Sequence, residues 1–181
     1  MRRYDVVMAP IEFFYLKKIR KNLMKHAKGK VLEIGFGNGA NVKYYHQDQI
    51  NEFHALDVSD SMRQFDHVIY HKLSAETLPF EDETFDTIVI TLALCSIPDQ
   101  IRAIREIKRV LKNDGQYLFI ELELPLTKGL KGLFKVINHY WKKMSGGCQI
   151  ILKTHKKLLK EGFKLNYKRK HIFTYGIATK A

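Results

Sequence analysis

Glu33, Gly35, Gly37, Gly39 and Asp57 are the residues whose types and spacing could do chemistry. The stretch VLEIGFGNGAN (31–41) is an apolar run that passes through an acid and ends in three glycines at alternate positions. Glycines at such spacing expose backbone to a ligand and keep side chains out of its way. The pattern Gly35-x-Gly37-x-x-Ala40 satisfies the loose dinucleotide fingerprint, and Asp57 ends the next apolar run where a ribose-binding acid belongs. A nicotinamide cofactor is therefore one reading. Glu33 favours another, because a carboxylate two residues before the first glycine repels a pyrophosphate and suits a cationic ligand.

Elements of two kinds must position these residues. VLEIG (31–35), FHALD (53–57), HVIYHK (67–72), FDTIVIT (85–91) and QYLFIEL (116–122) are short β-branched or aromatic runs bounded by turn residues, and they read as strands. Helices are expected after Gly39, briefly over Asp60–Phe65, and from about Pro98 to Lys112. In the last, Ile101, Ile104, Ile107 and Leu111 recur at helical spacing, Asp99 stands near the start, and Asn113-Asp114-Gly115 supplies a stop. Residues 126–161 read as helical with a break at Ser145-Gly146-Gly147, and GFKLNYK with HIFTYGIATK as a closing hairpin. The expected fold is α/β: a three-layer sandwich with a mostly parallel seven-stranded sheet and an antiparallel C-terminal hairpin. At 181 residues and 45% hydrophobic content the chain reads as one domain. It divides into a basic N-terminal helix (1–29), a cofactor-binding core (30–125), a basic amphipathic lid or insertion helix (126–148), and a C-terminal helix and hairpin (149–181).

The net charge of +12 is unevenly placed. Residues 1–30 carry nine Lys/Arg against two acids, residues 31–125 eight against sixteen, and residues 126–181 fourteen against one. An acidic middle between basic flanks separates parts with different partners. Cys95 and Cys148 are too few for a disulfide scaffold and lack zinc-site spacing, so both read as buried, reduced thiols, and no metal is expected. No run is long and apolar enough to span a membrane, and the N-terminus lacks a signal-peptide core. The expectation is a cytoplasmic protein that can lie peripherally on a membrane.

S-adenosylmethionine carries both an ammonium and a sulfonium, the cationic groups that Glu33 suits. Downstream, SAETLPFEDETFDTIVI (74–90) feeds a polar loop and an acidic turn into the fourth strand. With the glycine loop, this segment resembles class I S-adenosylmethionine-dependent methyltransferases of the type-11 group, which includes quinone-biosynthesis enzymes. TLALCSIPDQIRAIREIKRVLKNDGQYLFIE (91–121), GGCQ (146–149), the N-terminal YDVVMAPIE and the C-terminal YGIATK look like the small thiol methyltransferase-like proteins, with phospholipid methyltransferases as looser relatives.

The resemblance implies S-adenosylmethionine as cofactor and S-adenosylhomocysteine as product. It assigns Gly35, Phe36, Gly37 and Gly39 to the loop around the methionine part, with Glu33 in polar contact beneath it. Asp57 takes the ribose hydroxyls, Val58 and Met62 pack on adenine, and Ser74, Ala75 and Glu76 flank its edge. Thr91 and Leu92 close the pocket. Asn41, Tyr44 and Tyr15 lie near the reacting end. Two departures stand out. Ser74 occupies the place where relatives usually carry an acid for the adenine amino group, and the stretch from Asp57 to Ser74 is short.

An activated methyl needs alignment and dryness more than a dedicated base. No catalytic residue is assigned. His139, His155 and His171 are the titrating groups of the C-terminal part, each with an ordinary packing or surface role as the alternative. In LTKGLKGLFKVINHYWKKM (126–144) Leu130, Leu133, Phe134, Ile137, Tyr140, Trp141 and Met144 recur at helical spacing, with lysines elsewhere. The N-terminal segment has a similar character, with Phe13, Leu16 and Leu23 set against Lys17, Lys18, Arg20 and Lys21. Phe134 and Trp141 are thus substrate-side candidates, and a basic amphipathic helix fits either a lid or an anionic membrane surface. The expected acceptor is small and hydrophobic or amphiphilic: a thiol, lipid or quinone-like molecule. RNA methylation and cofactor binding without turnover are the alternatives. RNA is disfavoured because Thr91-Leu92-Ala93-Leu94 is not an amino-methylating Asn/Asp-Pro-Pro-aromatic signature.

Overall fold

The computed structural model describes residues 15–60, 62–123, 129, 132, 136–140, 142, 147–149 and 153–181. Strands β1 (Gly29–Ile34), β2 (Ile50–Asp57), β3 (Val68–Lys72), β4 (Phe85–Thr91), β5 (Leu111–Leu122), β6 (Phe163–Lys170) and β7 (Phe173–Lys180) form one sheet in the order β3-β2-β1-β4-β5-β7-β6. β1 to β5 are mutually parallel, and β7 runs antiparallel to both of its neighbours. This is the α/β sandwich that the alternating pattern predicts, closed by the expected hairpin.

Helices cover both faces, which is why the central strands read as continuous apolar runs. On β4, Val89 packs under helix α1 (Lys17–Met24), while Ile88 and Ile90 face α2 (Gln100–Val110) and α3 (Thr154–Lys160). Asp99 caps α2 by accepting the N–H of Arg102 at 3.0 Å. Its stripe of Ala103, Ile104, Ile107 and Val110 is fully buried. Burying one such aliphatic side chain stabilises by about 1.5–3 kcal/mol, and cutting Ile104 back to alanine costs about 2–5 kcal/mol.

Four expectations are corrected. Where a helix was expected after Gly39, there are two 3-10 turns, Val42–Tyr44 and Gln47–Gln49. Tyr45 is extended, at ψ 144°, and its hydroxyl turns back into the core to reach Glu33 at 2.6 Å, which a continuing helix would not allow. The described residues of the segment expected to be helical over Asp60–Phe65 are irregular. There the Tyr70 hydroxyl takes the Phe65 N–H at 2.6 Å, occupying a donor that a helix would use. Helix α2 is shorter than its periodicity suggests, because Leu111 already pairs with Phe85 and so belongs to β5, which carries Asn113-Asp114-Gly115 within it. The cysteines are joined, Cys95 to Cys148, with Cα atoms 4.7 Å apart. The N–H of Gln149 donates to the carbonyl of Cys95 at 3.1 Å and draws the two segments together.

Candidate functional site

The sheet order reverses between β1 and β4, and an open α/β sheet binds ligands at such a switch point, outside the carboxyl ends of its strands. Two loops meet there. Gly35, at φ +73°, leads out of β1, and a Cβ on it would overlap that of Ala93 in the loop after β4. Gly37, at φ +54°, has nothing within 4 Å of where its Cβ would stand. One glycine lets the two loops close on each other; the next leaves backbone open to a ligand.

Asp57, at the end of β2, accepts the N–H of Gly37 through Oδ2 and that of Ser59 through Oδ1, both at 2.9 Å. A carboxylate fixed beside the glycine loop suits ribose hydroxyls. Val58 follows with 70% of its surface exposed, and Met62 is half-buried. Ser74 donates to Glu76 Oε2 at 3.2 Å, and Glu76 Oε1 accepts the Asp99 N–H at 2.6 Å, which ties this edge to the start of α2. Ala75 is buried between them.

Beneath the glycine loop lies a buried polar cluster. Glu33 is 2% exposed and accepts from Asn41 Nδ2 at 2.8 Å and from the Tyr45 hydroxyl at 2.6 Å. Arg20, from α1, donates through Nη1 to Asn41 Oδ1 at 2.5 Å and to Thr91 Oγ1 at 2.8 Å. Asn41 also donates to Thr91 at 3.0 Å. Burial pushes the Glu33 carboxyl up to about 7, against the hydrogen bonds and the Arg20 charge that hold it down. Burial and the neighbouring Glu33 raise the Tyr45 hydroxyl well above its ordinary value. The cluster can therefore exchange a proton near neutral pH, beside the place where a cationic ligand would sit.

The structure thus brings Glu33, Gly35, Gly37, Asn41, Asp57, Thr91 and Leu92 together around the carboxyl ends of β1, β2 and β4. Gly39 closes the loop by donating to the Phe36 carbonyl at 3.0 Å. The ring of Phe36 points into the core, edge-on to Phe53, Phe65 and Tyr70, so only its backbone is offered to a ligand. Tyr44 is half-buried with the Lys43 ammonium 5.1 Å from its ring, and Tyr15 stands 5.1 Å from His171 at the β6–β7 turn. Phe134 and Trp141 lie outside the described residues, although residues 136–140 between them are helical and expose Val136, Ile137 and Tyr140. Among the described residues no group of three or more His, Cys, Asp or Glu is placed to hold a metal, and no helix is long and apolar enough to cross a membrane.

Sequence reasoning misses Arg20, Tyr45, Glu121 and Glu123 as site residues; His155, one of the candidate titrating groups, is held against Glu123 at 2.8 Å. Arg20 had a signal: Leu16, Ile19, Arg20, Leu23 and Met24 form one helical stripe, all buried, so Arg20 belongs to the apolar face and not to the charged face on which it was placed. Although burial pushes the Glu123 carboxyl up, hydrogen bonds from the His155 ring and backbone and from Arg169 hold it below the usual range.

Residues 32–119 match the model of the Methyltransferase domain family, Methyltransf_11. The mitochondrial methyltransferase OMS1 of Saccharomyces cerevisiae is 31% identical over 133 residues, covering 59% of this chain and 28% of that protein. The ubiquinone/menaquinone biosynthesis C-methyltransferase UbiE of Idiomarina loihiensis is 29% identical over 150 residues, 73% of this chain and 59% of its own. Matches to the similar curated relatives span between 26% and 61% of their length. A Thermotoga maritima S-adenosylmethionine-dependent methyltransferase superposes with a TM-score of 0.73 at 19% identity, covering 98% of this chain and 95% of the other. An open glycine backbone, a fixed acid at the end of β2 and a buried carboxylate beneath suit the cofactor of that family, and residues 32–119 carry a methyltransferase domain of the type-11 group, in a fold that superposes on an S-adenosylmethionine-dependent methyltransferase.

Proposed function

We propose that the chain transfers a methyl group from S-adenosylmethionine to a small hydrophobic or amphiphilic acceptor of thiol, lipid or quinone-like type. The observation that carries this reading is the β1/β4 switch point, where open glycine backbone, the fixed Asp57 and the buried Glu33 converge. When bound, the cofactor supplies a methyl already activated on a sulfonium. The chain's own residues then have four tasks. Asp57 holds the ribose, Val58 and Met62 pack the adenine, and Ser74, Ala75 and Glu76 border its edge. Glu33, held in place by Asn41 and Tyr45, offers negative charge beneath the methionine part when ionised. Leu92 and Ala93 exclude water from the side facing β4. Tyr15, Tyr44, Phe134 and Trp141 stand on the acceptor side.

In this reading residues 30–125 hold the cofactor, 1–29 and 126–148 cover the acceptor, and 149–181 complete the sheet. Exposed Val136, Ile137 and Tyr140 beside lysines, and relatives named for quinone methylation, support a greasy acceptor. They also support contact with an anionic membrane, worth ~1 kcal/mol per lysine near the surface. The test is methyl transfer to an alkyl thiol, a short-chain quinone, a lipid and total RNA, repeated with Phe134→Ala/Trp141→Ala. The double variant should lose transfer to apolar acceptors at nearly constant cofactor affinity. Transfer to RNA alone, or cofactor binding without transfer to any acceptor, would overturn the acceptor class.

A further inference from the structure

Behind the loop that follows β4 lies a carboxyl group that the cofactor reading leaves unused. Glu121, on β5, has no solvent exposure. Its Oε1 accepts the N–H of Leu94 at 3.2 Å, and the neighbouring N–H dipoles of Cys95 and Ala93 help to hold the carboxyl down against burial. One backbone donor is thus bonded to this side chain with the N–H dipoles on either side of it turned the same way, an arrangement that fixes a loop as a helix cap fixes a helix end. The opposite side of the same loop carries Ala93, which fills the space above Gly35 that a side chain would otherwise take.

The loop does not hold this form by local preference. Leu92 adopts φ +58°, in the left-handed region that a branched residue rarely enters. Its N–H donates to the Ile120 carbonyl at 2.7 Å, and Gln100 Nε2 donates to the Leu94 carbonyl at 2.9 Å. Those bonds fix the two ends of the Leu92–Leu94 stretch; Glu121 draws its amides inward. Thr91, just before the loop, is the residue on which Arg20 and Asn41 converge.

We propose that Glu121 is a positioning residue for methyl transfer, setting the height of the Leu92–Ser96 loop against Gly35 and so the wall between cofactor and acceptor. This rests on the methyltransferase reading above. The role depends on reach and not on charge. Burial pushes the Glu121 carboxyl up to about 8, with Glu123 adding to the rise, so at neutral pH the group is mostly a neutral acid. Its second oxygen has no hydrogen-bond partner among the described residues. Glu123 and the buried Tyr117, whose hydroxyl is also raised, are the titratable groups beside it on this face among the described residues.

Two substitutions separate reach from charge. Glu121→Gln keeps the length and an acceptor oxygen. Glu121→Asp keeps the acid and draws it back by one carbon from the loop. Amide hydrogen exchange reads the loop directly, and calorimetry with S-adenosylmethionine and turnover with an alkyl thiol or a short-chain quinone read the site. The Asp variant should exchange the amides of Ala93, Leu94 and Cys95 about tenfold faster, with Ile88 and Val89 unchanged. Its kcat should fall by about tenfold, while cofactor Kd stays within about threefold. The Gln variant should match the parent in all three. Parental protection and kcat in the Asp variant would overturn the proposal, and so would a Gln variant as impaired as Asp. If the Asp variant does not fold, Glu121→Met, which keeps the volume and removes the acceptor, is read the same way. A parent that binds cofactor yet methylates neither probe counts against the acceptor class, while the exchange data still decide whether Glu121 sets the loop.

Discussion

Cofactor binding should be linked to a proton on Glu33. The carboxyl is 2% exposed and sits at about 7 in the folded chain against 4.5 when free, because burial outweighs the bonds from Tyr45 and Asn41 and the charge of Arg20. A raised carboxyl contributes stability that is fully present below the free value and is lost as pH rises through the folded one. Over 2.5 pH units, at 1.36 kcal/mol each, the loss is on the order of 3 kcal/mol between about pH 4.5 and 7. A ligand carrying ammonium and sulfonium favours the ionised form, so binding should expel the proton. At pH 6, one unit below the folded value, about nine-tenths of Glu33 is protonated, and apparent affinity should be about tenfold weaker than at pH 8. Calorimetry at pH 6, 7 and 8, in buffers of different ionisation heat, reads both the affinity and the released proton. Glu33→Gln keeps an acceptor for Asn41 and can donate to the Tyr45 oxygen, so it should fold, bind more weakly at pH 8 and lose the pH slope. A parent whose affinity is flat from pH 6 to 8, or a Gln variant with the parental slope, would refute the reasoning.

Three further outcomes are expected. Asp57→Ala should weaken S-adenosylmethionine binding by about 2–4 kcal/mol, since it removes charge-assisted bonds to the ribose and frees the Gly37 N–H; unchanged calorimetric affinity would remove the ribose assignment. Arg20→Leu should cost about 1.5–3 kcal/mol in chemical denaturation by stripping Asn41 and Thr91 of a buried charged donor, and a loss below about 1 kcal/mol would show that α1 docks without it. Reducing Cys95–Cys148, which closes a sequence separation of 53 residues, should lower stability by about 4 kcal/mol in the chain-entropy account; the Cys95→Ala/Cys148→Ala variant should behave like the reduced parent, and identical oxidised and reduced denaturation curves would contradict it.

Much of the frame was legible because its signals are local. β4 is a β-branched run between turn residues, and α2 declares itself by Ile104 and Ile107 at helical spacing behind Asp99. The glycines and Asp57 fall at the carboxyl edge once the strands are placed. What was not legible depends on contacts distant in sequence. Tyr45 leaves the helical path to reach Glu33, and Glu121 matters only because a loop 27 residues earlier rests on it. Arg20 shows a different failure: charge assigned it to water, whereas the stripe from Leu16 to Met24 places it inside. The cysteines were judged by number and spacing, but their pairing follows from where residues 147–149 run.

Among the described residues β6 occupies one outer position of the sheet, paired to β7 on one side only. A free strand of this kind is a template on which a second chain can add, the first step toward fibrous aggregates. Here Lys164, Lys168, Arg169 and Lys170 are all exposed along it. Edge-to-edge addition of a second copy would set one row of cations against another, and that repulsion disfavours the addition. The guard is electrostatic and therefore conditional. It weakens within the Debye length of concentrated salt, ~3 Å at 1 M, and acetylation of the three lysines would remove most of it. The same residues that make the C-terminal part basic thus also act as colloidal protection for the strand that closes the sheet.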